Sequence, residues 1–332
     1  MRIGLLTSVG RTIDAFFQDA VAVWSDAGHV VRCAAGSPPT SRVPFDLIQG
    51  LTQRPSLSNL GVPRRLRAWA QEGELDVIIT NTATASTLAR LTPLPCPLVY
   101  FCHGLHWNQD LHPARLVESA LVRRADSVVT INSDDHAWFS ARHPQVLYLR
   151  EGVGVPSTYP WSPLPTGALH LCWAGDFVPR KRPEVAVEVM DALLRARPGS
   201  HLTMLGDGEL RSVAQQRARG LGIHDSITFA GRTDVRPHIS DSHALLHTAT
   251  WEGLPRILLE GAAMGRQAFA FDVKGVRDVP HVQLSRDGDV DALARLIADN
   301  MPQHALDPAV GAAMRSDTVA RRLLDHVEVL AG

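Results

Sequence analysis

The chain has 332 residues, 45% of them apolar and 20% charged, with a formal net charge of −1. This is ordinary globular composition with enough length for two cores, and its charge balance points to no nucleic acid or other polyanionic partner. Cys33, Cys96, Cys102 and Cys172 form no C-x-x-C pair and read as buried thiols of a reducing compartment. No apolar run approaches the ~18 residues of a membrane span. The N-terminus enters Arg2-Ile3-Gly4-Leu5-Leu6 directly, without a leader pattern, so a cytoplasmic location is expected.

In chain order, the first half alternates short apolar runs with helical patterns. Strands are predicted at 2–7, 29–34, 76–80, 97–102 and 126–131, and helices at 11–27, 63–72, 82–91, 113–124 and 134–141. Such alternation specifies βαβ units and a parallel sheet. The first βα turn, Thr7-Ser8-Val9-Gly10-Arg11, lacks G-x-G-x-x-G, which counts against a dinucleotide oxidoreductase. The run 151–166, with Pro156, Pro160, Pro163 and Pro165, reads as a linker. The alternation then restarts, with strands at 168–174, 201–205, 226–230, 243–247 and 267–271. Helices are predicted at 183–197, 209–220, 234–240 and 255–264, and again at 289–299 and 315–330. The expected class is α/β, with two doubly wound Rossmann-like domains, 1–152 and 165–312, facing a cleft. Ligands bind such sheets at the carboxyl ends of the strands.

The most informative run is Trp251-Glu252-Gly253-Leu254-Pro255-Arg256-Ile257-Leu258-Leu259-Glu260. Pro255 fits a first helical position, where its missing N–H costs nothing. Gly253 permits close backbone approach just before it. A helix starting here presents unpaired N–H groups and a positive dipole end, a seat for a diphosphate. Glu252 ahead of that seat and Glu260 within the helix could hold the hydroxyls of a sugar and a ribose. Each also has a plainer reading. Glu252 could be a helix-start charge. Glu260 could form an exposed i,i+4 pair with Arg256, worth roughly 0.3 kcal/mol.

Several further runs join this one. Gly206-Asp207-Gly208-Glu209, Phe229-Ala230-Gly231-Arg232 and Asp272-Val273-Lys274-Gly275-Val276-Arg277-Asp278 lie in the second half. Tyr100-Phe101-Cys102-His103-Gly104-Leu105-His106-Trp107 and Asp126-Ser127-Val128-Val129-Thr130-Ile131-Asn132 lie in the first. In order and spacing the chain resembles the family 4 retaining glycosyltransferases of the GT-B fold, in their exopolysaccharide-type branch. The resemblance covers most of the chain. It rests on an E-x7-E element at Glu252 and Glu260, a G-D-G-E turn, an F-x-G loop, a D-V-x-G-x-R-D run and an H-G-F-H-F-like segment. One departure is that Gly175 is followed by Asp176, where the family often has an arginine of the phosphate clamp. An acidic residue also occurs there in the polysaccharide branch.

The resemblance implies a first domain that binds acceptor, a second that binds donor, and a final helix (315–332) that packs back on the first. It implies transfer of a hexose or N-acetylhexosamine from a nucleoside diphosphate sugar, UDP-linked by preference. The acceptor is a hydroxyl of a glycan, a lipid-linked saccharide or a small molecule. Neither cofactor nor metal is implied. Glu252, Lys181 and His103 take the catalytic positions. Arg180, Gly231, Arg232, Gly253, Leu254, Pro255, Arg256 and Glu260 take the donor-binding ones, and Gly10 the loop that approaches phosphate and acceptor.

Plain readings stand beside these. Arg180-Lys181-Arg182, after Pro179, reads by default as a solvated basic run, although basic charge at a helix start opposes the dipole unless an anion sits there. His103 ends an apolar strand, where a histidine is more often simply satisfied. His106 and His112 lie near it without a metal-ligand spacing. Gly10, Gly231 and Arg232 could be turn residues, and Asn132 and Ser133 most simply cap a helix. Pro63-Arg64-Arg65-Leu66-Arg67-Ala68-Trp69 reads as a solvated helix face. Its competing reading is a peripheral contact with the inner membrane face. Two other functions compete with transfer: a GT-B nucleotide-sugar epimerase, which needs no acceptor, and a nucleotide-sugar-binding protein without turnover.

Overall fold

A computed structural model describes residues 1–105 and 113–332; His106, Trp107 and His112 lie outside the described residues. The chain divides into two compact units, Met1–Pro156 with Ser316–Gly332, and Ser157–Arg315.

The first unit runs β1 (Arg2–Leu6), α1 (Gly10–Phe16), α2 (Gln18–Asp26), β2 (Val30–Ala35), β3 (Phe45–Leu47), α3 (Val62–Glu72) and β4 (Val77–Asn81). It continues with α4 (Ala83–Leu91), β5 (Leu98–Cys102), α5 (Pro113–Leu121), β6 (Ser127–Thr130), α6 (Ser133–Ser140) and β7 (Val146–Tyr148). The described strands form a parallel sheet in the order β3-β2-β1-β4-β5-β6-β7. β4 and β5 are buried at every position, the pattern of central parallel strands covered on both faces.

The second unit runs β8 (His170–Ala174), α7 (Pro183–Ala196), β9 (His201–Leu205), α8 (Arg211–Gly220), β10 (Ile227–Gly231) and α9 (Val235–Ser240). After these come β11 (Ala244–His247), α10 (Arg256–Ala263), β12 (Gln267–Phe271), β13 (Val282–Ser285), α11 (Val290–Asp299) and α12 (Pro308–Ala313). Its sheet is parallel in the order β10-β9-β8-β11-β12-β13. The order reverses between β8 and β11, so the loops after these strands border a switch point. Both units have the expected doubly wound α/β organisation.

The last helix, α13 (Ser316–Ala331), belongs to the first unit. Trp24 Nε1 in α2 donates to the Ala320 carbonyl at 2.9 Å, and Ser316 Oγ donates to Asp19 at 2.7 Å. Arg322 pairs with Glu151 at 2.7 Å. Among the described residues no helix is long and apolar enough to cross a membrane.

Three sequence expectations are corrected. The helix expected over 11–27 is two helices, broken at Phe17, whose backbone (φ −126°, ψ −1°) leaves the helical region. Its buried ring meets Phe101 edge-on at 5.5 Å. Strands β3, β7 and β13 and helix α12 were not anticipated. The strands have three or four residues each and are largely half-buried, so they carry too little alternation to read. The expected helix 113–124 ends at Leu121 and finishes as a 3₁₀ turn over Val122–Arg124.

The strand-end loops of the second unit touch backbone to backbone. Gly206, after β9, has φ +118°, and a Cβ there would lie 1.9 Å from the Gly175 carbonyl oxygen after β8. Gly206→Ala therefore combines a strained backbone with a clash against main chain. It should cost about 2–4 kcal/mol, read as a lower midpoint in urea denaturation. An unchanged midpoint would mean that the two loops separate freely.

Candidate active site

β11 is fully buried, and the chain leaves its carboxyl end through 248–255 into α10. Pro255 (φ −74°, ψ 102°) occupies the N-cap position of α10, not the first helical position expected of it. Its extended ψ turns the incoming loop onto the helix axis, and Leu258 N–H returns to the Pro255 carbonyl at 3.1 Å. The first turn of α10 still presents its N–H-rich, positive end.

That end opens into a cavity of about 550 Å³ in the second unit. Arg180, Lys181, Arg232, Glu252, Leu254, Pro255, Arg256 and Glu260 all lie on its wall, with Gly175, Asp176 and Gly206 from the crossing loops. Gly231 and Gly253 adjoin it through their neighbours. His103 and Gly10 belong to the first unit.

Glu252 is the electrostatic centre of the wall. It is 7% exposed. Its Oε2 accepts a hydrogen bond from Arg180 Nη1 at 2.5 Å, and its Oε1 accepts one from Lys181 Nζ. The buried imidazole of His247 stands with Nε2 3.4 Å from Oε1. Burial pushes the Glu252 carboxyl up, but the contact with His247 and the Lys181 charge outweigh it and hold the group down at about 2. Burial also holds His247 below its usual range. An ion pair this buried is sensitive to the loss of either partner.

The basic residues are held from below. Pro179–Lys181 form a 3₁₀ turn separate from α7, which begins at Pro183. Arg180 and Lys181 therefore do not start α7, as the sequence suggested. Arg182 between them and the helix is left-handed, with φ +50°. Its guanidinium donates to the Thr248 and Ala249 carbonyls at 2.6 and 2.9 Å and to Asp287 at 2.6 Å, and it stacks on Phe271. Thr248 Oγ1 lies 2.9 Å from the Lys181 carbonyl and accepts from Trp173 Nε1 at 3.0 Å. These contacts bind the 179–183 segment to the loop that carries Glu252. Sequence reasoning missed Arg182 and Thr248, since neither has a local motif.

Glu260 is 8% exposed. Burial raises its carboxyl above the usual range, opposed by the Arg256 charge and by a hydrogen bond with Tyr159. The i,i+4 partner Arg256 is present at 3.6 Å, but Glu260 does not sit on the open face that the plain reading supposed. Tyr159, from the linker, was also missed; a residue about a hundred positions away leaves no local signal. On the rim, Asp176 pairs with Arg232 at 3.2 Å, both exposed.

In the first unit His103 follows β5. Its ring lies 4.6 Å from Phe16, 4.8 Å from Phe101 and 6.1 Å from Phe17. Gly10 opens α1, where a Cβ would lie 2.1 Å from the Pro39 nitrogen and 2.3 Å from the Pro38 carbonyl carbon, so close packing alone requires a glycine there. Asn132 caps α6 by accepting from Asp135 N–H at 2.8 Å.

Residues 168–301 match the family model for glycosyl transferases group 1, and residues 12–146 match that for a glycosyl transferase 4-like domain. The Vi polysaccharide biosynthesis protein VipC/TviE of Salmonella typhi is 31% identical over 154 residues, 41% of this chain and 26% of that protein. The chain thus matches only about a quarter of that relative's length. The putative glycosyltransferase EpsD of Bacillus subtilis is 26% identical over 78% of this chain and 73% of its own. Among solved structures, Anabaena HepE in complex with UDP superposes with a TM-score of 0.82 at 18% identity, over 99% of this chain and 100% of that one.

The depressed Glu252 carboxyl has a pH consequence. Its stabilisation is fully present above the ordinary value of 4.5 and is lost as pH falls towards about 2. Glu252→Gln should lower stability at pH 7 by about 3 kcal/mol. In urea titrations the gap from wild type should close as pH drops below that ordinary value. A gap independent of pH would show that the carboxylate charge contributes nothing.

Proposed function

The chain belongs to the group 1 glycosyltransferases, and on that premise we propose that it moves a hexose or N-acetylhexosamine from a UDP-sugar to a hydroxyl acceptor with retention of configuration. The observation that carries this reading is the single wall on which Arg180, Lys181, the start of α10 and the carboxylates Glu252 and Glu260 meet. The proposal assigns each part of a nucleoside diphosphate sugar to that wall and the turn beside it. The diphosphate takes the α10 amides with Lys181 and Arg180. The ribose hydroxyls take Glu260, in charged hydrogen bonds worth about 1.5–3 kcal/mol. The nucleobase edge takes the turn at Gly231 and Arg232, and the transferred sugar takes the side of Glu252. On the resemblance, His103 binds a sugar hydroxyl. That HepE was solved with UDP supports uracil as the base.

In the proposed step the bond from the anomeric carbon to the diphosphate oxygen breaks as the acceptor oxygen bonds to the same face. The acceptor proton passes to the departing diphosphate. The protein contributes position and charge. Lys181 and Arg180 leave Glu252 for the phosphate as negative charge develops there, which stabilises the transition state more than the bound donor. Glu252, relieved of its cations, faces the positive charge at the anomeric carbon. No metal is needed for this division of charge. The acceptor is a glycan, a lipid-linked saccharide or a small molecule.

A thermal-shift panel of UDP, GDP, ADP and TDP tests donor binding. UDP at a hundredfold excess over its Kd should add about 2.7 kcal/mol of stability, and no shift with any of them would end the reading. Lys181→Ala should lower kcat about a hundredfold in a UDP-release assay; unchanged kinetics would remove Lys181 from the phosphate site. Glu260→Gln gives a result of opposite sign in the two states. Because burial raises this carboxyl, its ionised form costs stability as pH rises above the unfolded value. The variant should melt higher than wild type without ligand at pH 7, yet show a smaller UDP shift. A variant that melts lower without ligand and keeps the full shift would overturn the ribose assignment.

A further inference from the structure

The basic segment of α3 is unused by the site above, and the structure changes its meaning. Val62, Leu66, Trp69 and Ala70 are buried in the core, and Trp69 Nε1 donates to Asp46 at 2.8 Å. The aromatic is therefore not a surface anchor. What α3 shows to solvent is Arg64, Arg65 and Arg67, followed by Gln71 and Glu72 at its last turn.

The apolar element lies one turn earlier. Leu57–Gly61 form a 3₁₀ turn that runs directly into α3. Leu57 is 85% exposed and Leu60 83%. Residues three apart eclipse in a 3₁₀ helix, so the two leucines share a side. This turn is tied down. Ser56 N–H donates to Asn59 Oδ1 at 2.9 Å, Asn59 Nδ2 to the Gly50 carbonyl at 2.7 Å, and Arg65 Nη1 to the Gln49 carbonyl at 2.6 Å. A fixed turn thus holds two leucines in water, where their exposure is unfavourable. Along the chain the charge around it is predominantly positive. Residues 46–72 contain Arg54, Arg64, Arg65 and Arg67 against Asp46, which pairs with Arg32, and Glu72, in a chain whose net charge is −1.

We propose that the 57–61 turn and the outer face of α3 dock on an anionic lipid surface. Leu57 and Leu60 enter the acyl boundary, and the arginines engage lipid phosphates. Charge complementarity selects this occupant. A second copy meeting the face across a two-fold axis would set arginines against arginines. Docking does not depend on the transferase reading. If that reading also holds, docking favours the lipid-linked acceptor over the soluble one.

The test is flotation of the full chain with phosphatidylcholine vesicles, with and without phosphatidylglycerol, at low and high salt. Wild type should float with the anionic vesicles, weakly with neutral ones, and less at high salt. The double variant Arg64→Gln, Arg67→Gln should lose about 30-fold in partitioning at low salt, from ~1 kcal/mol per charge. The double variant Leu57→Ser, Leu60→Ser should lose at least about tenfold, with melting temperature and nucleotide-induced shift unchanged. The proposal fails if wild type ignores anionic vesicles, if it binds neutral ones equally, or if either double variant partitions like wild type. It also fails if light scattering shows a dimer that the leucine variant dissolves. Vesicle binding requires no turnover, so its failure would leave nucleotide binding standing.

Discussion

A carboxylate kept ionised inside protein organises the second unit. Burial alone would neutralise Glu252, and desolvating an ion costs several kcal/mol. The group stays charged because Arg180, Lys181 and His247 converge on it. Such convergence needs two loops from opposite sides of the switch point, one after β8 and one after β11, in fixed register. Arg182 supplies that register. Its side chain crosses to the 248–249 carbonyls, and its left-handed backbone separates the 3₁₀ turn from α7. A buried ion pair is seldom the most stable filling for its volume. Here it keeps two cations and one anion at the mouth of an open cavity, where an anionic ligand can exchange partners with them.

Glu260 shows the opposite balance. Its carboxylate is as buried as that of Glu252, but Arg256 at 3.6 Å and the Tyr159 hydroxyl leave burial in control. The two glutamates, eight residues apart, thus sit in different electrostatic environments. One is saturated by cations and the other is under-supplied. Hydroxyl donors from a ligand relieve the under-supplied group, whereas a ligand anion competes for the cations of the saturated one. The difference in environment suits the two different roles proposed for them.

How much of this was legible follows from locality. The strands over 201–205 and 267–271 were read with the bounds they have, because buried central strands are continuous apolar runs between turn signals. The edge strands β3, β7 and β13 were not, since three or four largely half-buried residues carry too little pattern; the edge strand β10, five residues long, was read within one residue of its bounds. Glu252 and Glu260 were picked out by their spacing about a helix start, and Lys181 by the resemblance. Arg182, Thr248 and Tyr159 were not, because each acts through residues many positions away; His247, five positions before Glu252, was hidden as the last residue of a buried strand. Pro255 shows a finer limit. Its φ suits either the N-cap or the first helical position, and only ψ, which the sequence does not carry, separates them. Trp69 misled for a related reason. An aromatic among arginines suggests a surface, but on α3 it falls on the same stripe as Leu66 and Val62, which the helical period turns inward.

The departure at Asp176 can now be weighed by charge. The cavity wall carries four cations, Arg180, Lys181, Arg232 and Arg256, against three carboxylates, Asp176, Glu252 and Glu260. Asp176 and Arg232 answer each other at the exposed rim, where solvent screens both and the pair is worth little. What remains is the inner group, in which Arg180 and Lys181 face Glu252 and Arg256 faces Glu260. On the proposed function, a diphosphate entering there would carry more negative charge than the wall's excess of one cation can balance. The remainder falls to the positive end of α10, worth about half an elementary charge. It also falls to desolvated cations drawn off Glu252. An acidic residue after Gly175 is tolerable on this account because the rim cancels it. On that proposal the phosphate end would be set by the 3₁₀ turn at Pro179–Lys181 and not by the residue that follows the first strand of the second unit.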